Sequence, residues 1–170
     1  MNKDNVLDEI FSNVNNWVSF AEQKNTIIIS LFSVIAFATL FGNDLLEISK
    51  SLKISIIILW VLFVIALIIT LISFFPITQI FAKGKNKKLH ETDNLFFYGD
   101  IYKYSISELE KAYNKNYNVD INNSINKDLI NQILNNSEIA LYKFNCFKVS
   151  SICIGLALLQ FSIFYIFSLI

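Results

Sequence analysis

Arginine is missing altogether: the 14 basic residues are all lysine, and 14 acidic residues balance them to a net charge of zero. Zero net charge removes any whole-chain argument for an anionic partner. With abundant Asn and Ile, the lysine bias reads as the coding preference of an AT-rich genome. Proline occurs once, as Pro76, and neither proline nor glycine falls between Met1 and Phe41, so nothing there breaks a helix. The one histidine, His90, stands beside a lysine cluster and reads as solvated rather than catalytic. The two cysteines, Cys146 and Cys153, lie two helical turns apart, too far to bridge, and read as small packing residues. The sequence holds no HExxH, no cysteine pair at metal spacing, no glycine-rich phosphate loop and no GxSxG. No catalytic residue, metal or cofactor is expected, and an enzyme is a poor reading.

What is present is apolar and comes in blocks. Of the 170 residues 54% are hydrophobic and only 16% charged, unusual for a soluble domain. Residues 25–43, 54–75 and 149–170 carry no charge. The two longer blocks extend roughly 33 Å as helix, enough for a hydrocarbon core of about 30 Å. The first is shorter and needs its flanks or a thinned bilayer to cross. Three membrane spans are therefore expected, at 26–41, 54–75 and 149–170. A cleaved signal peptide is not expected, because Asp4, Asp8 and Glu9 stand where a basic segment should be.

Residues 1–25 read as a cytosolic amphipathic helix. Val6, Leu7, Ile10, Phe11, Val14, Trp17, Val18 and Ala21 follow three-and-four spacing, with Asp8, Asn13, Asn16 and Gln23 assigned to the opposite face. Few lysines lie on it, which favours packing in a small bundle over binding anionic lipid. The helix continues without a breaker into the first span, with Glu22 and Lys24 at the seam, and Gly42-Asn43 reads as its C-cap. Residues 26–75 form a transmembrane hairpin closed by Pro76. Lys83, Lys85, Lys87 and Lys88 follow directly and place that side in the cytosol, with the N-terminus on the same side. The same lysines are phosphate-binding candidates, although a topology signal accounts for them without a ligand.

Residues 76–148 read as a cytosolic helical sensor region. It has an aromatic turn at 94–101, a helix from Ser105 to Tyr113 capped by Ser105 or Ser107, and a polar loop at 114–123. From Ile125 a second unbroken helix runs into the third span, mirroring the first. Within the spans Ser30, Ser33 and Gln160 are the pore-lining candidates. Hydroxyls bonded to the preceding turn and a helix–helix hydrogen bond at Gln160 are the plainer readings.

The run 17–28, the turn Phe96-Phe97-Tyr98-Gly99-Asp100-Ile101 and the run Asn136-Ser137-Glu138-Ile139-Ala140-Leu141-Tyr142-Lys143 together resemble the Pycsar-type transmembrane effectors of bacterial anti-phage defence. The likeness touches both ends and the middle of the chain. The family's first motif is written W-x-x-x-A-D-x-K followed by a small residue. Trp17, Ala21 and Lys24 match it, Glu22 replaces the aspartate, and Asn25 stands where alanine is usual.

The resemblance implies a partner cyclase or nucleotidyltransferase that makes a nucleotide signal, and cytosolic helices that sense it. Oligomerised spans would then disrupt the membrane. In the Pycsar branch the signal is a cyclic pyrimidine nucleotide that activates; in the similar Hailong-type arrangement a short oligonucleotide holds a channel shut. Glu22, Lys24, Phe97, Tyr98, Asp100 and Lys143 are then the ligand-binding candidates. The ammonium groups of Lys24 and Lys143 would meet phosphate, and Phe97 and Tyr98 would stack on a base at about 1–3 kcal/mol each.

The expected protein is thus all-α, an integral membrane bundle of three transmembrane helices with a small cytosolic helical domain. It would be multi-pass in the bacterial inner membrane and homo-oligomeric, a tetramer being one candidate, because three apolar helices alone cannot enclose a water path. The expected function is a nucleotide-gated, channel-forming defence effector. A ligand-independent holin-like toxin and a non-conducting membrane adaptor are the rival readings.

Overall fold

The computed structural model describes residues 5–41, 50–75, 89–90 and 92–169. Five helices occur among the described residues: α1 Asn5–Phe41, α2 Lys50–Ile72, α3 Tyr98–Ile101, α4 Ile106–Tyr117 and α5 Ser124–Leu169. No strand occurs among the described residues. The two long helices have 37 and 46 residues and are unbroken across the seams expected from the lack of glycine and proline. Pro76, the Gly42-Asn43 cap and the lysine cluster at 83–88 lie outside the described residues.

The chain divides into two compact units. The first comprises Met1–Ala21 and Pro76–Lys143, the second Glu22–Phe75 and Phe144–Ile170. The boundary thus falls inside α1 and again inside α5.

The core of the first unit is built from the stripe the spacing marks on α1. Val6, Leu7, Ile10 and Val14 are buried against Leu95, Ile101, Leu109, Tyr113, Val119, Ile130, Ile133 and Leu134. Burial of such side chains contributes about 1.5–3 kcal/mol each, which is why α4, polar on its outer face, is held by Leu109 and Tyr113. Asn13 departs from the expected pattern. It follows Val6 by two turns and so shares the packing face rather than the water face. There its Nδ2 donates to the Phe96 carbonyl at 2.8 Å. Helix α4 begins where expected. Ser105 Oγ accepts from Glu108 N–H and the Glu108 carboxylate accepts from Ser105 N–H, a capping box. It ends later, at Tyr117 rather than Tyr113, because Tyr117 packs edge-on against Phe96 at 5.8 Å. Asn118 then turns the chain with φ 54°, and Asn114 Nδ2 donates to the Val119 carbonyl at 2.8 Å.

The second unit packs the last part of α1 with α2 and the last part of α5. Ile28, Leu59, Phe63, Ala66, Ile154 and Ala157 are buried together, with Phe32, Trp60 and Phe161 against them. Two described helices are long and apolar enough to cross a membrane, α2 over Leu52–Ile72 and α5 within Ser124–Phe167. The sequence pattern gave three. The third, at 26–41, extends roughly 24 Å as helix, and its side chains from 38 onward lie outside those described.

Candidate functional site

Sequence-distant aromatics converge in the first unit. The Trp17 ring lies 5.5 Å from Tyr98, 6.0 Å from Phe97 and 6.2 Å from Phe20, and Phe97 and Tyr98 are 4.7 Å apart. Phe97 remains 36% exposed and Phe20 44%, so part of the group faces outward. Burial pushes the Tyr98 phenol above its ordinary pKa, so the ring meets its surroundings as a neutral phenol. Gly99 makes this arrangement possible. A Cβ there would stand 2.5 Å from Phe97 Cε1, so any side chain would move the ring.

A charged network behind the aromatics fixes the turn. Lys103 Nζ donates to Asp93 Oδ1 at 2.8 Å and to Asp100 Oδ1 at 2.5 Å. Asp100 Oδ2 accepts from the Asn94 N–H at 3.0 Å, and Asp93 Oδ2 accepts from the His90 N–H at 3.0 Å. The Asp93 side chain is only 5% exposed. Burial by itself pushes its carboxyl up, but the His90 N–H, the Lys103 ammonium and the Tyr104 hydroxyl outweigh that and hold it below the usual carboxylate range. Hydrogen bonds to Asp100 and then Asp93 hold the Lys103 ammonium well above its ordinary pKa. Asp100, expected among the ligand contacts, is thus engaged within the turn itself. Asp93 and Lys103 carry no spacing signal in the sequence and were not among the expected residues. Trp17 had one, as the head of the motif.

The remaining expected residues fall elsewhere. Lys143 is the last residue of the first unit and is buried, at 7% exposure. Glu22 and Lys24 open the second unit. Lys24 Nζ sits 5.0 Å above the centroid of the Phe147 ring, a cation–π contact within that unit. Ala21 is fully buried, which accounts for a small residue at that motif position. Lys83, Lys85, Lys87 and Lys88 lie outside the described residues. Ser30 and Ser33 are exposed, and their hydroxyls donate to the Thr26 and Ile29 carbonyls one turn back. Gln160 is bonded at both ends to Ser55. Among the described residues no group of His, Cys, Asp and Glu could hold a metal ion.

A family model, the Pycsar effector protein domain, matches residues 6–170. The chain belongs to that family. The match spans both units and every helix, so the motif at Trp17, the aromatic turn and the end of α5 all fall within it. Comparison with curated proteins and with solved structures gives no match in either case. Pycsar effectors are defence proteins that work with a cyclic-nucleotide signal generated by a cyclase, and act downstream of it rather than as a known enzyme. For this Pycsar effector the two candidate spans point to the membrane as its place of action.

Proposed function

We propose that this Pycsar effector is a nucleotide-gated membrane effector of anti-phage defence that assembles as a homo-oligomer and opens an ion-conducting path in the inner membrane. The observation that carries this reading is the exposed apolar surface of the second unit. Only 28% of the most apolar window of α2 and 17% of that of α5 are buried. A soluble core helix would be mostly buried, whereas a helix facing lipid and further copies of itself need not be. Ile27, Leu31, Val34 and Phe37 on α1 are exposed as well, which supports the end of α1 as a third, shorter crossing. On this reading Ser30 and Ser33, already satisfied by their own helix, face a neighbouring copy or the path. A pore needs several copies around an axis because one subunit has too few helices to surround water.

The signal is a cyclic pyrimidine nucleotide or a short oligonucleotide, made by a cyclase or nucleotidyltransferase. Its base stacks on the aromatic group at Trp17, Phe97 and Tyr98, where aromatic faces accept bases with little sequence preference. Asp100 serves by holding the turn that presents those rings. Lys24 and Lys143 are the proposed phosphate contacts, with the lysines at 83–88 as a further candidate. Helices α1 and α5 are shared by both units without a break, so ordering the cytosolic end by a ligand can bias the membrane end.

The test is dye release from vesicles containing the full chain, with cyclic CMP, cyclic UMP or short oligonucleotides added. Release on adding a nucleotide, lost in Lys24→Ala and Lys143→Ala with normal insertion and helicity, is the expected result. Release on dilution away from an oligonucleotide identifies the inhibitory form. Release with no nucleotide at all points to a ligand-independent toxin, and none under any condition to an adaptor. An unchanged response in both lysine variants removes those residues from the site.

A further inference from the structure

In the second unit the buried stripe of α2 is Ser55, Leu59, Phe63, Ala66 and Thr70, continued by Ser73 in the turn just past the helix, apolar in the middle and hydroxylic at both ends. Each end is bonded to α5. Ser55 Oγ donates to Gln160 Oε1 at 3.1 Å, and Gln160 Nε2 donates to the Ser55 carbonyl at 3.0 Å. At the other end Thr70 Oγ1 lies 3.0 Å from Ser150 Oγ, and Ser150 Oγ donates to the Ala66 carbonyl at 3.0 Å. Ser55, Thr70 and Ser150 are fully buried. The two helices run antiparallel, so these bridges clamp the apolar contact of Phe63 and Ala66 from both sides.

We propose that the two bridges form a latch: α2 and α5 held together keep the polar groups of the membrane unit dry, and conduction requires them to part. The inference rests on the reading above that the protein opens a path. A hydroxyl or amide left without a partner in an apolar medium carries a large desolvation penalty. The Gln160 amide commits one N–H and one lone pair of its oxygen to Ser55, so in this arrangement half of its hydrogen-bonding capacity is held by α2. Once α2 and α5 separate, Ser55, Ser150 and Gln160 need new partners, and a column of water supplies them, whereas the Thr70 hydroxyl keeps its bond to the Ala66 carbonyl of its own helix at 2.9 Å. The groups that close the dry state thus line the wet one, which makes the change two-state rather than gradual. The hydroxyl of Ser162 differs, since it donates to the Leu158 carbonyl of its own helix and loses nothing when the helices part.

The test uses the full chain in vesicles, with cyclic CMP and cyclic UMP as the probes. Gln160→Leu and Ser150→Ala are expected to raise dye leak without nucleotide by roughly tenfold, from the modest strength of hydrogen bonds between membrane helices. Ser162→Ala stays at the wild-type level. A reversible lock complements these variants. Thr70→Cys with Ser150→Cys, in a background of Cys146→Ser and Cys153→Ser, puts two thiols within disulfide reach. Oxidation is expected to abolish nucleotide-evoked leak, and a reductant to restore it. A silent Gln160→Leu that also loses evoked leak would overturn the latch and make Gln160 a lining residue only. So would an oxidised pair that still conducts, or a pair that never cross-links in the membrane. Cross-linking reads the α2–α5 contact whether or not the protein conducts. A cysteine pair that cross-links, beside a wild type that never leaks, therefore sinks the functional reading and not the contact.

Discussion

Asn13 Nδ2 donates to the carbonyl oxygen of Phe96 at 2.8 Å, joining α1 to the aromatic turn across 83 residues of sequence. That bond sets the height at which the turn meets α1, and so which rings Trp17 touches. Asn13→Leu removes the donor and leaves a part-buried carbonyl without it. The expected cost is about 1 kcal/mol of stability in the first unit, together with a red shift of Trp17 fluorescence. The measurement needs a Trp60→Phe background, since Trp60 is the other tryptophan. Unchanged emission and unchanged thermal unfolding would show that the contact at Leu95 and Phe96 holds the turn alone.

Gly99→Ala tests the aromatic group from the other side. The added Cβ would stand 2.5 Å from Phe97 Cε1, so the ring must swing away from its place beside Trp17. The fold is expected to survive with a loss of about 1 kcal/mol, because a ring on the surface can move. Nucleotide affinity is expected to fall several-fold, by part of the stacking energy of one ring. Calorimetric titration with cyclic CMP or cyclic UMP measures it.

The Lys103 network predicts sensitivity to acid and not to mild base. Asp93 is held below its ordinary pKa of about 4, so its contribution is present above that value and is lost as pH falls through its lower folded value. Lys103 is shifted up, so its contribution is complete below its ordinary value of about 10.4 and is lost only as pH rises through its higher folded value. Trp17 emission is therefore expected to hold from pH 9 to about 4 and change below. Lys103→Met leaves the nearly buried Asp93 carboxylate facing no cation and is expected to cost about 1–3 kcal/mol at neutral pH. Circular dichroism melts across that pH range test both statements.

Ser105→Ala removes one half of the capping box at the start of α4. The expected loss is about 1 kcal/mol, read by amide exchange at the first turn of α4, with the response to nucleotide unchanged. Ser107→Ala does not remove the cap, since Glu108 N–H is received by Ser105. An equal effect of the two substitutions would contradict that assignment.

The sequence by itself determined that the chain is helical, that α1 and α5 run unbroken, and that 54–75 and the end of the chain are apolar enough for a bilayer. These follow from local properties: the lack of glycine and proline, the three-and-four spacing and the distribution of charge. A cap at Ser105 or Ser107 was legible for the same reason, and Trp17 as the head of a motif through the family resemblance. Only the tertiary structure decided that Asn13 packs rather than faces water, that Asp100 is held by Lys103 and Asn94, and that Gln160 is spent on Ser55. The first and last pair residues 83 and 105 apart in the chain, Asp100 bonds within its own turn, and in each case a polar side chain carries no local mark of the partner it will meet. Hydrophobic spacing tells a helix which face to bury. Which buried polar group meets which is fixed only when the helices are set side by side.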